Sequence, residues 1–165
     1  MLKRIYYRLF KNTYLGKNVI LGKNVFIGHG CIIGDKAEHK KFWHKNTNKL
    51  VYIGDRTIIT GNVTIDSGTE EDTFIGSDCF IMKGVHIGHD ATIRNNVTLS
   101  PHAVIGGHCV VGNNVNFGIS SIIHQRAKVP DNCMIGMGAV ITKKSELWDG
   151  GVFVGNPVHF LRPNK

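Results

Sequence analysis

The chain has 165 residues and a formal charge of +8, from 20 Lys and Arg against 12 Asp and Glu, with 42% hydrophobic residues. This length fits one domain, and no apolar run is long enough to span a bilayer. No nucleic-acid motif accompanies the positive charge, so a phosphorylated small molecule is the expected partner.

The first segment, 1–14, places Leu2, Ile5, Tyr6, Leu9 and Phe10 at helical spacing among Lys3, Arg4, Arg8 and Lys11. The interleaved charges do not resemble a cleavable leader, so a cytoplasmic protein is expected. The helix is predicted to cap the open end of the fold that follows, with weak membrane association as the lesser alternative.

Residues 15–146 carry a six-residue rhythm. Large apolar residues recur at Leu15, Leu21, Ile27 and Ile33, then at Ile53, Ile59 and Ile65, then without a break from Ile75 through Ile87, Ile105 and Ile123 to Ile141. The next residue is often Gly, and the fourth residue after the aliphatic one is small, as at Val85, Ala103, Ser121 and Ala139. A period of six fits neither an amphipathic helix nor a single strand. It marks an all-β solenoid, with aliphatics inside and Gly or Asn at strained corners. Cys31, Cys79, Cys109 and Cys133 all occupy the small slot, without Cys-x-x-Cys spacing, and are expected to be compact apolar fillers.

Two insertions break the rhythm. The longer, 35–52, carries Lys36, His39, Lys40, Lys41, Phe42, Trp43, His44, Lys45 and Lys49; it is expected to project as a trimer clasp or as a ligand loop. The shorter lies near Gly68–Phe74. Treated as a bulge, it puts Ile65 on the same face as Ile87, and Asp66 and Ser67 one coil before Gly88 and His89. If three six-residue faces make a coil, residues 18 apart stack. Gly107 and Gln125 then lie over His89, His108 and Arg126 over Asp90, and His124 over Gly106. His86 is expected at the corner just before this face. Four of the nine histidines therefore gather on one edge, an arrangement with more use in chemistry than in packing.

The hexads resemble those of the hexapeptide-repeat acyltransferases, a resemblance that covers nearly all of the chain. It implies a left-handed parallel β-helix of about six coils and a homotrimer with active sites between adjacent prisms. The stretches Val63–Thr69, Val85–Asp90, Gly106–His108 and Ile123–Gln125 are similar to the UDP-N-acetylglucosamine O-acyltransferases. That similarity implies His89 as general base, Asp90 as its support, His86 and His108 as pocket residues, and the backbone at Gly107 as oxyanion donor. The His-Asp pair and the ending Gly151–Pro157 also resemble bacterial amino-sugar acetyltransferases. With about 20 residues after its last hexad, the chain is expected to lack the C-terminal helical domain of the lipid A enzymes, and it has Asp66-Ser67-Gly68-Thr69 where they have His-Arg-Gly-Thr. The donor is therefore expected to be acetyl-CoA rather than a long-chain acyl carrier protein, and the acceptor a nucleotide-linked amino sugar or a glycan sugar of the bacterial surface, with Asp66, Ser67, His86, His108, His124 and Gln125 on the acceptor. CoA is expected near the 147–165 tail, with Gly155, Asn156, Pro157, Lys143, Lys144 and Arg162 at the far end of its cleft.

The chemistry needs a base near neutrality, which histidine supplies. Adjacent residues on a strand point to opposite faces, so two arrangements stay open for Asp90: contact with His89, or pairing with His108 or a neighbouring subunit. No metal is expected. The competing functions are a γ-class carbonic anhydrase, disfavoured because His86 and His89 are three rather than five apart, and a non-catalytic scaffold, which leaves the histidine edge unexplained.

Overall fold

A computed structural model describes residues 2–164, with side chains from Arg4 onward. The chain is a three-sided left-handed parallel β-helix, with faces of seven, six and eight strands. Face one is built from Tyr14–Leu15, Ile32–Asp35, Thr64–Asp66, His86–Ile87, Val104–Ile105, Ile122–Ile123 and Val140–Ile141. Face two runs from Val19–Leu21 to Lys128–Val129, and face three from Phe26–His29 to Gly151–Val154, where His159–Pro163 folds back antiparallel. Six coils are complete.

The register is the 18-residue stack the rhythm predicts. Ile87 pairs with Ile105 and Ile105 with Ile123. Ile65 pairs with Ile87, so the shorter insertion is a bulge outside the prism. Ile33, Ile65, Ile87, Ile105 and Ile141 have no accessible surface. Each such side chain contributes roughly 1.5–3 kcal/mol by burial, and the repetition makes the prism a ladder of similar steps. The four cysteines are buried and free, and burial pushes the Cys109 thiol up to about 11.

Three placements differ from expectation. The rhythm does not stop at Ile141: Leu147 packs on the core, and Phe153, fully buried, pairs with Ile135. The 147–165 segment thus begins as most of a seventh coil. His86 lies on a face-one strand, paired with Thr64 and Val104, not at a corner. The helix Leu2–Lys11 does cover the first coil, but Tyr7 and Arg4 make the contact. Tyr7 joins the core, and Arg4 donates to the carbonyls of Gly16, Lys17 and Val19 at 3.2, 3.0 and 3.3 Å. Ile5, Tyr6, Leu9 and Phe10 face outward; the side chain of Leu2 lies outside the described residues. Helical spacing marks an apolar stripe but not the direction it faces. Among the described residues, no helix is long and apolar enough to cross a membrane.

Candidate active site

Every turn from face one to face two falls on one edge of the prism, and both insertions leave from it. The stacked corners are His89-Asp90, Gly107-His108 and Gln125-Arg126. Asp90, His108 and Arg126 adopt left-handed backbone, with φ of +59°, +57° and +66°. The backbone ladder continues through the corners, with the His108 amide donating to His89 O and the Arg126 amide to Gly107 O, both at 2.9 Å.

The left-handed turn settles the contact that strand alternation left open. His89 and Asp90 are turn residues, so their side chains converge, and His89 Nδ1 lies 2.5 Å from Asp90 Oδ2. His108 Nε2 is 3.6 Å from the same oxygen. The shorter insertion wraps the carboxylate from the other side. Backbone amides of Thr69, Glu70 and Glu71 donate to Oδ1 at 3.0, 2.8 and 2.5 Å, and Thr69 Oγ1 donates to Oδ2 at 2.7 Å. The Asp90 amide in turn donates to Thr73 Oγ1. Burial pushes the Asp90 carboxyl up, but the bonds from His89, Glu71, Thr69 and Glu70 outweigh it and hold the group well below the usual carboxylate range. A permanent carboxylate on Nδ1 favours the imidazole tautomer with the proton on Nδ1, which leaves the lone pair on Nε2.

Gly107 is pressed against that ring: a Cβ there would lie 2.9 Å from His89 Nε2 and Cε1. No acceptor among the described residues takes the Gly107 N–H. The rings of His108 and His39 meet His89 edge-on, at centroid separations of 5.1 and 5.4 Å. Burial, partly offset by the Asp90 charge, lowers the His108 pKa. His39 belongs to the longer insertion, which is tied to the shorter one by Thr47 Oγ1 to Gly68 O and by the Leu50 amide to Asp72 Oδ1. It therefore crosses the edge beside His89. A cleft of about 470 Å³ opens between this loop and the first coils, with Lys17, Lys36 and Lys45 in its wall.

The other expected residues are placed unevenly. His86 Nδ1 is 2.8 Å from Thr64 Oγ1. Asp66 is buried beside it; burial raises its pKa, opposed by His86 and the Glu38 amide. The Ser67 hydroxyl is spent on the Asp35 carbonyl at 2.7 Å and anchors the loop. His124 and Gln125 are exposed farther along the edge, with His124 Nδ1 2.9 Å from Gln125 O. Lys143 and Lys144 stack over Gln125 and Arg126 and are exposed. Arg162 does not join them. It pairs with Val152 on face three, and Gly155–Pro157, with a cis Asn156–Pro157 bond, turns at the corner between faces three and one. The grouping fails because the tail forms a hairpin on face three instead of crossing the histidine edge. Thr69 and His39, absent from the expected site, are the additional residues at its centre; both lie in the insertions.

His89, Asp90 and His108 offer ligand atoms within 4.8 Å of one another. Asp90 already accepts from five donors, His89 Nδ1 among them, so a cation would have to displace the cradle.

Comparison with known proteins agrees with this geometry. The family described as bacterial transferase hexapeptide (six repeats) matches residues 72–107, and the hexapeptide repeat of succinyl-transferase matches 12–37 and 103–143. The chain is 40% identical over 114 residues to the acyl-[acyl-carrier-protein]–UDP-N-acetylglucosamine O-acyltransferase of Paraburkholderia phymatum, covering 67% of this chain and 43% of that protein. The Aliivibrio fischeri protein of the same name is 32% identical over 115 residues, covering 68% and 43%. The chain thus spans less than half the length of these relatives. The UDP-N-acetylglucosamine O-acyltransferase structure from Moraxella catarrhalis RH4 superposes with a TM-score of 0.87 at 28% identity, covering 93% of this chain and 59% of that one. PerB from Caulobacter crescentus, solved with CoA and GDP-perosamine, shares the fold at a TM-score of 0.66 and 18% identity, covering 85% and 58%. With repeat matches over more than half of its length and the same three-sided prism, the chain belongs to the hexapeptide-repeat acyltransferase family.

Proposed function

We propose that the protein transfers an acetyl group from acetyl-CoA to a hydroxyl or amine of a sugar, nucleotide-linked or in a glycan, for bacterial surface-glycan synthesis. The working form in this reading is a cytoplasmic homotrimer. The observation that carries the proposal is the buried Asp90 carboxylate on His89 Nδ1, which leaves His89 Nε2 as the base on the edge. His89 Nε2 takes the proton of the acceptor O–H or N–H as its lone pair attacks the thioester carbonyl. The Gly107 N–H donates to the oxyanion, a contact worth about 3 kcal/mol in comparable sites. As the C–S bond breaks, the proton held on His89 passes to the departing thiolate, giving the acetylated sugar and free CoA thiol.

Two observations support the acetyl donor. The fold holds CoA and a nucleotide sugar in PerB. Lys143 lies three coils beyond His89 in the same column, about 14 Å away at ~4.8 Å per coil, a span suited to an extended pantetheine arm with its phosphates on Lys143 and Lys144. The curated relatives are named for acyl carrier protein donors, so the test is a donor comparison. Product mass spectrometry with nucleotide amino sugars and glycan sugars should show acetylation from acetyl-CoA. Product formed only from acyl carrier protein thioesters would overturn the donor assignment.

A further inference from the structure

The first 34 residues contain Lys3, Arg4, Arg8, Lys11, Lys17 and Lys23 and no Asp or Glu; the first carboxylate is Asp35. These residues build the helix and the first coil, so one end of the prism is cationic throughout. The same end carries the outward apolar stripe of the helix. Leu9 and Phe10 are 70% and 69% exposed, with Ile5 and Tyr6 beside them, whereas among the helix's described side chains only Tyr7 is buried. Arg8 and Lys11 flank the stripe, and neither forms an ion pair among the described residues. Next to it a groove of about 760 Å³ runs between the helix and the first strands of face one, with Arg4 and Arg8 on one wall and Tyr14 and Ile32 on the other.

We propose that this end docks on an anionic lipid bilayer, with Ile5, Leu9 and Phe10 in the headgroup–acyl boundary and Arg8 and Lys11 on lipid phosphates. An apolar helix face bordered by cations is the composition of an interfacial anchor. Charge disfavours a second copy stacked end to end, because residues 1–34 carry no Asp or Glu to face the other copy's cations; a side-by-side neighbour is the other occupant, and the mass in solution distinguishes it. One short helix gives reversible binding, which needs the electrostatic contribution as well as the apolar one.

The test is co-sedimentation of the full chain with vesicles of phosphatidylcholine alone and of phosphatidylcholine with phosphatidylglycerol. Binding is expected only to the anionic vesicles, falling with salt. Arg8→Gln with Lys11→Gln should weaken it about thirty-fold, and Leu9→Ser with Phe10→Ser should abolish it. Both variants should keep the parent's circular dichroism and light-scattering mass, since Arg8, Leu9 and Phe10 are exposed and Lys11 touches the prism only through its ammonium over the Phe26 ring. Equal sedimentation of parent and variants, or no sedimentation of the parent, would overturn the proposal. A parent that ignores vesicles while Leu9→Ser with Phe10→Ser lowers the mass in solution would assign the stripe to a second copy instead.

Discussion

Asp90→Asn is the most informative single change, because it alters charge and hydrogen bonding with little change of shape. The amide has one oxygen where the carboxylate has two. Its oxygen stays with the Thr69, Glu70 and Glu71 amides that face Oδ1. Its NH₂ then faces His89 Nδ1, which must accept, so the ring proton moves to Nε2. The base is lost where it is needed, and turnover should fall by two to four orders of magnitude, the range for a general base (about 10²–10⁴). The KM for the acceptor should change little, because Asp90 has no accessible side-chain surface with which to touch it. Weakening one or two charge-assisted bonds in the cradle should also lower stability by about 2–4 kcal/mol. The assay is steady-state release of CoA thiol beside a denaturant melt. Turnover within about threefold of the parent in a folded variant would refute the tautomer reasoning.

Gly107→Ala places a methyl 2.9 Å from the His89 ring, which Asp90 holds in place, so the ring must shift; kcat should drop about a hundredfold, and the melting midpoint should fall as the His89–Asp90 bond weakens. Lys143→Ala with Lys144→Ala should raise the KM for acetyl-CoA several-fold at low salt and less at high salt, whereas Arg162→Ala, on another face, should leave both as in the parent. The stability contributed by the depressed Asp90 carboxyl is complete above its unfolded pKa, about 3.9, and is lost as pH falls through its lower folded value; an acid melt of Asp90→Asn should therefore be flatter than that of the parent. Light scattering should return three chains per particle, and a monomer would remove the cleft between prisms from the account.

The prism was legible because one period carries both the inward aliphatic and the corner. Ile65 over Ile87 and Gly107 over His89 followed from counting alone. What failed was tied to departures from strand geometry. Alternation left the His89–Asp90 contact open, since it holds for extended chain and not for a left-handed turn. Thr69 looked like part of an irregular bulge because its role is to turn three backbone amides onto Asp90, and backbone donors leave no side-chain signature. His39 is far from His89 in sequence and meets it through a loop with no repeat to set its register. Leu147 and Phe153 keep the six-residue beat, but the missing second-face strand hides it. The outward stripe of the helix could not be oriented from spacing, because a helix has two sides and the pattern names neither.

In the proposed reaction, acetyl transfer depends on His89, fixed by Asp90, taking the acceptor's proton. The most direct measurement is the single-turnover rate of acetyl transfer by His89→Ala, using the acceptor found by product mass spectrometry. The rate should fall by about 10²–10⁴, with acetyl-CoA binding unchanged by calorimetry. A rate near that of the parent would show that another group takes the proton and would contradict the account.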